Sequence, residues 1–232
     1  PLPDVPRSNN DPITSNDGNS LGTLNILEAA KEFGVKRVVC ASSSSIYGNS
    51  ESLPKVETMP INPMSPYALT KYAQERYCQV FHQLYGLETV ALRYFNVFGL
   101  RQDPTSQYSA VIPKFIKLMM QDKEPIIYGD GSQSRDFTFV ENNVWANIQA
   151  CTAHKAAGEV INIACGERYT LLDLVEMINQ ILGKHIEPHF EKDRAGDVKH
   201  SLAGIEKAKQ MIDYKVRVDF QEGLRRTVEF FL

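Results

Sequence analysis

The chain has 232 residues, 43% of them hydrophobic and 23% charged, with a formal net charge of −3. That length suits one or two domains with a proper core, and the mild negative charge argues against a protein built to bind nucleic-acid phosphates. No apolar run approaches the roughly 18 residues of a membrane span, and the first residues show no basic-then-apolar leader pattern. Pro1-Leu2-Pro3 reads as interior sequence, so the chain is expected to be a piece of something longer or a processed product.

In chain order, Asp11 to Phe33 has helical spacing. Leu21, Leu24, Leu27 and Ala30 form an apolar stripe, Pro12 suits the first turn, and Gly34 is a stop. Val35 to Cys40 is a short β-branched strand, followed by a polar loop over Ser42 to Ser45. Ser65-Pro66 opens a helix from about Tyr67 to Tyr85 that Gly86 closes, and Leu87 to Tyr94 is the next strand. This alternation predicts an α/β fold with a parallel sheet.

After Gly99, a polar loop over 100–109 precedes a helix near Ile112 to Gln121. Short strands are expected at Ile126 to Tyr128 and Arg135 to Val140, flanking the turn Gly129-Asp130-Gly131, with a helix starting near Glu141. Gly158 to Ala164 is strand-like, and Leu171 to Leu182 is an amphipathic helix ended by Gly183. Cys40, Cys78, Cys151 and Cys165 form no Cys-x-x-Cys pair, so no metal site is expected and the thiols suit a reduced cytoplasmic setting.

The chemistry concentrates around Tyr67-Ala-Leu-Thr-Lys71. Residues four apart share a helix face, so phenol and ammonium can approach one ligand. An unperturbed phenol, pKa about 10, is a poor base at neutral pH, and a neighbouring ammonium lowers that value. A tyrosine so placed can act as general base toward an alcohol or sugar hydroxyl. Ser43 lies just past a strand, and Arg93 to Gly99 closes the next strand on the same edge, where ligands of open parallel sheets bind. Read from the residues alone, Arg135 and Arg194 could equally be surface ion pairs with Asp136 and Asp193.

Five segments carry a family resemblance: SSSSIYG (42–48), SPYALTKYAQE (65–75), LRYFNVFG (92–99), GDGSQSRDFTFVEN (129–142) and RAGDVKH (194–200). Together they span nearly the whole chain. It resembles the extended short-chain dehydrogenase/reductases, specifically the nucleotide-sugar 4-epimerases. The resemblance implies a partial Rossmann-type parallel sheet over 1–99 and a smaller α/β substrate-binding domain over 100–232, with 158–182 returning to the Rossmann sheet. It implies NAD as cofactor, with Tyr67 as base, Lys71 anchoring the nicotinamide ribose, Ser43 relaying the proton, and Asn19 and Phe95 beside the cofactor. The implied substrate residues are Ser44, Ser45, Asn96, Gln102, Ala110, Val111, Tyr128, Arg135, Arg194, Asp197 and Ser201. Among these the arginines would face the diphosphate, Asp197 the ribose, and Tyr128 the uracil.

The implied reaction is redox-neutral. Tyr67, through Ser43, removes the proton of the sugar 4-hydroxyl while C4 gives hydride to NAD, and the 4-keto sugar turns over before hydride returns. The serines of 42–45 stand where a related 4,6-dehydratase would carry Thr-Asp-Glu, and Asn96 stands where glucuronate epimerases would carry Thr. Ser201 matches the position that gates pocket size. Being small, with Ala110 small too and an LRQDP stretch at 100–104, it points to UDP-N-acetylglucosamine and UDP-N-acetylgalactosamine. UDP-glucose or UDP-glucuronate remains the alternative substrate. The implied assembly is a homodimer through helices near 11–33 and 67–85, the latter offering Tyr72, Tyr77, Val80 and Phe81. No nucleic-acid or membrane partner is expected.

The family's Gly-x-x-Gly-x-x-Gly loop does not occur in these residues. That loop presents backbone N–H groups to the cofactor pyrophosphate. A non-catalytic remnant unable to hold NAD is therefore the third reading, with an exposed sheet edge, poor stability and no activity expected of these residues alone. Asp4 stands where the family carries a serine, an awkward charge beside a diphosphate.

Overall fold

The computed structural model describes residues 5–103, 110–192 and 199–232. Helices α1 (Val5–Asn10), α2 (Pro12–Asn16) and α3 (Gly22–Glu32) lead into strand β1 (Arg37–Ser43). Helix α4 (Pro66–Tyr85) and strands β2 (Glu88–Tyr94) and β3 (Val97–Phe98) follow. Then come α5 (Val111–Met120), β4 (Ile126–Tyr128), β5 (Ser134–Arg135), β6 (Thr138–Phe139), α6 (Val140–Thr152), β7 (Val160–Ile163), β8 (Tyr169–Thr170) and α7 (Leu171–Leu182). Strand β9 (His189–Glu191) and helices α8 (Glu206–Ile212) and α9 (Phe220–Phe231) complete the order; α1, β3, β8, β9, α8 and α9 stand outside the expected elements.

The central sheet has the order β1-β2-β7, all parallel. Its register aligns Ser43 with Tyr94 and Tyr94 with Ile163, so three strands end together at one edge. Among the described residues β1 pairs on one side only. Alternation along β2 serves both faces of the sheet. Val90 and Leu92 pack with Ala146, Ala150 and Ile212 of α6 and α8. Thr89 and Arg93 instead bond to α4, through the Cys78 carbonyl and the Glu75 carboxylate.

A second core gathers Ile112, Phe115, Ile116 and Met119 of α5 with Leu174, Val175 and Ile178 of α7 and Phe220, Leu224 and Val228 of α9. Helix α7 thus packs away from the central sheet, whereas β7 joins it beside β2. The reason is α7's apolar stripe, which meets α5 and α9. Smaller pairs, β3-β6 and β4-β9 parallel and β5-β8 antiparallel, frame this half.

Local signals explain the helix ends. The Ser65 hydroxyl accepts from Ala68 N, Pro66 fills the first turn, and Gly86 closes α4 at φ 70°. Thr170 and Asp173 form a reciprocal capping box at the start of α7. The helical stretch expected over Asp11 to Phe33 contains a π-helical turn at Asp17–Leu21, which the sequence spacing does not show. Strand β1 runs on to Ser43, replacing the first part of the expected serine loop, because pairing with β2 continues to that residue.

Candidate active site

Ser43 ends β1, and its hydroxyl accepts from Ser45 N at 3.2 Å, opening a 3-10 turn over Ser44–Tyr47. Tyr67 lies in the first turn of α4. Its backbone N donates to the buried Ser8 hydroxyl of α1 at 3.0 Å. Lys71 follows one turn later, with Nζ 5.8 Å from the centre of the Tyr67 ring. The ammonium donates to the Ala41 carbonyl of β1 at 2.8 Å. Burial pushes the Lys71 pKa down from the ordinary lysine value.

The π-helical turn over Asp17–Leu21 carries Asn19. It turns Asn19 fully inward, where Nδ2 donates to the Thr70 hydroxyl at 3.0 Å, and Thr70 in turn donates to the Tyr67 carbonyl at 2.8 Å. Asn19 therefore supports the first turn of α4 from inside. Phe95 is fully buried and packs with Ile46, Tyr47, Ala164 and Ala203.

The remaining candidates fall into two groups. Asn96, at φ 32°, donates from Nδ2 to the Asp136 carbonyl at 3.1 Å. Arg135 Nη1 donates to the carbonyls of Ser134 and Lys199 at 3.0 and 3.1 Å. Ser201 is buried, and its backbone N donates to Ser134 O at 3.0 Å. Tyr128 ends β4, half-buried, with its carbonyl held by Gln133. Asp136 is no surface ion-pair partner: its side chain is wholly buried and accepts backbone N–H groups.

Gln102 belongs to a cleft of about 610 Å³ lined also by Val97, Leu100, Arg101 and Val140. Ala110 is exposed at the start of α5, and Val111 packs on the edge of the second core. Arg194 and Asp197 lie outside the described residues, as do Asp4 and Asp193.

The residues present fit the nicotinamide-ribose half of NAD. Lys71 holds three N–H donors in a buried position, and the Ala41 carbonyl takes one, which leaves donors for ribose hydroxyls. Nearby, the Ser45 hydroxyl is buried with no protein partner, as is the Gln102 side-chain carbonyl in its cleft. Buried polar atoms of this kind suit a bound ligand. Among the described residues no His, Cys, Asp and Glu group could hold a metal ion, and no helix is long and apolar enough to cross a membrane.

Sequence reasoning missed the supporting role of Ser8, Thr70, Glu75, Arg93 and Asp136. Glu75 had a signal, lying four residues beyond Lys71 on the same helix face. Ser8 and Asp136 act through contacts distant in sequence.

A parallel sheet with helices on both faces, and Tyr and Lys one turn apart at its carboxyl edge, define a Rossmann-type protein of the short-chain dehydrogenase/reductase class. Residues 2–164 match the NAD dependent epimerase/dehydratase family, and the chain belongs to it. It is similar to the solved UDP-N-acetylglucosamine 4-epimerase of Methanobrevibacter ruminantium, in complex with UDP-N-acetylmuramic acid. Identity is 43% and the TM-score 0.95, over 99% of this chain and 74% of that one. It is similar to the UDP-glucose 4-epimerase of Thermus thermophilus in complex with NAD, at 34% identity and TM-score 0.89, over 99% of this chain and 75% of that one. A UDP-glucuronate 4-epimerase of Thermodesulfobacterium geofontis is 37% identical, over 92% of this chain and 65% of its own length.

Proposed function

We propose that the protein interconverts UDP-sugars epimeric at C4, with UDP-N-acetylglucosamine and UDP-N-acetylgalactosamine as its substrates. The observation that carries the reading is the placement of the Lys71 ammonium 5.8 Å from the Tyr67 ring, tied to the strand that delivers Ser43. NAD, when bound, supplies the acceptor and donor of hydride. Tyr67 takes the proton of the 4-hydroxyl, with the Ser43 hydroxyl relaying it, and returns it to the epimer. Lys71 orients the nicotinamide ribose and places positive charge beside the phenol, which favours phenolate. Arg135 and Arg194 hold the diphosphate and Asp197 the ribose while the hexose turns over, helped by Asn96, Ser44, Ser45, Gln102 and, at the uracil, Tyr128.

Residues 1–99 serve the cofactor and 100–232 mainly the substrate. The small Ser201 side chain supports the N-acetylated preference, as does the 43% identity to a UDP-N-acetylglucosamine 4-epimerase. The test is turnover of UDP-N-acetylglucosamine against UDP-glucose, in the natural protein and in Ser201→Tyr. The bulky ring should remove the acetylated activity and spare the other. Equal loss on both sugars refutes the gate, and turnover of neither sugar nor of UDP-glucuronate refutes the epimerase reading. UDP-glucuronate, substrate of a relative, belongs in the same panel.

A further inference from the structure

We propose that Asp136 is the positioning residue of the sugar end of this site: its carboxylate fixes the backbone that carries Ser201, and its own carbonyl fixes Asn96. The inference rests on the UDP-sugar reading above.

Asp136 lies between β5 and β6 with no exposed surface. Its Oδ1 accepts from Cys165 N at 3.0 Å, and its Oδ2 from Gly166 N at 3.0 Å and Ala203 N at 3.2 Å. Two successive N–H groups, with Gly166 at φ 76°, form a small anion-binding concavity just beyond β7. One carboxylate thereby joins the exit of the central sheet to the segment containing Ser201.

Backbone bonds brace that segment as well. Ser201 N donates to Ser134 O, Lys55 N to Leu202 O at 2.7 Å, and Gly204 N to Lys55 O at 2.8 Å. Ala203 itself packs with Tyr47 and Phe95. On the other side, the Asp136 carbonyl accepts from Asn96 Nδ2 at 3.1 Å, while Asn96 O accepts from Thr138 N at 3.2 Å. Two residues assigned to the substrate site, Asn96 and Ser201, are therefore located by the same amino acid. A buried acid is a costly way to fill space, and an apolar residue would serve packing better.

Among the described residues, the main influences on the carboxylate include no cation. Glu167 adds negative charge, and the Cys165 thiol and Tyr214 phenol are both pushed up by burial first and by Asp136 as a further cause. Burial raises the Asp136 carboxyl to about 7, against the pull of its three N–H partners. Below that pH a proton on one oxygen opposes a backbone donor, and the segment loosens.

The experiment measures Kd for UDP-N-acetylglucosamine and UDP-glucose by calorimetry, on the NAD-loaded protein from pH 6 to 8.5, together with KM and kcat. Native affinity should fall below pH 7, by at most about tenfold per pH unit for a single proton. Asp136→Asn should raise Kd and KM at pH 8 at least fivefold, change kcat less than threefold, and flatten the pH profile. Asp136→Glu should restore part of the affinity. A melting temperature that falls while Kd and its pH profile stay native overturns the proposal. Should Asp136→Asn fail to fold, hydrogen exchange in the native protein decides: protection of the Gly166 and Ala203 amides must weaken below pH 7, and protection that holds constant refutes the clamp. A native protein that binds neither nucleotide refutes the UDP-sugar reading, and exchange still tests the clamp.

Discussion

The Glu75 carboxylate and the Arg93 guanidinium meet through two contacts of 2.8 Å each, and both side chains are buried. Parallel, bidentate pairing is the strong geometry for these groups. The Ser42 hydroxyl also donates to Glu75, and Arg93 donates to the Tyr47 hydroxyl at 2.8 Å, which in turn donates to Asn162. The network fastens α4 to β1 and β2 where Lys71, Ser43 and Asn96 emerge. Glu75 stands one turn beyond Lys71, Ser42 just before Ser43, and Arg93 three residues before Asn96.

Breaking one partner of such a pair leaves a buried charge uncompensated, at about 3–5 kcal/mol. Glu75→Gln should therefore lose about that much in urea unfolding, and turnover should fall with it. Replacing both partners, as Glu75→Leu with Arg93→Met, removes the stranded charge. The double variant should be more stable than the sum of the singles, and strict additivity would show that the pair does not act as a unit.

Gly48 ends the 3-10 turn that carries Ser44 and Ser45, at φ 60°. A Cβ there would collide with the Asn62 carbonyl, whereas one on Gly34, at φ 64°, meets open space. Gly34→Ala incurs left-handed strain of about 1–2 kcal/mol, whereas Gly48, at φ 60° and ψ −144°, holds a backbone that essentially only glycine adopts. Gly48→Ala should cost clearly more, measured by urea unfolding, and should weaken UDP-sugar binding by displacing Ser45. Equal losses in the two variants would remove the turn's claim to a tight fit.

Much of this arrangement is legible locally. Ser65, Pro66 and Gly86 mark both ends of α4, and Thr170 and Gly183 both ends of α7, because caps act within one turn. The Tyr67–Lys71 face follows from helical period alone. Ser42 and Ser43 read as loop, since serine is a weak strand former, yet pairing with β2 decides their state. Asp219 caps α9 by accepting from Glu222 N, a signal of the same local kind, so that helix was within reach. Asp136 was not: its Ala203 contact spans 67 residues, and no local pattern marks a buried acid held by backbone donors.

The faces of α3 and α4 away from the sheet leave Ile26, Phe33, Leu69 and Leu84 exposed, while Phe81 is in the core and not available to a partner. We propose that these four residues form the homodimer surface. Sedimentation should give a dimer, and Leu69→Lys with Leu84→Lys should shift it toward monomer. A native protein that sediments as a monomer at micromolar concentration would refute the surface.

Lys71 sets function against stability. Its ammonium is buried, so folding lowers its pKa below the unfolded value. Below the lowered folded value both states carry the proton, and the folded state bears the desolvation cost in full. As pH rises through the lowered folded value toward about 10.4, the folded state releases its proton first and stability rises. Lys71→Met abolishes that dependence. Urea unfolding should show the variant at least as stable as the natural protein at pH 7, with the difference shifting toward the natural protein as pH climbs to 10. Turnover should be lost throughout. Tyr67→Phe should lower turnover by about 10²–10⁴-fold, the usual worth of a positioned general base, with the UDP-sugar Kd within threefold of native. If Lys71→Met is markedly less stable at pH 7, the bond to Ala41 outweighs the desolvation cost and Lys71 is foremost a structural residue. If it is stable and inactive, the buried charge is kept for chemistry.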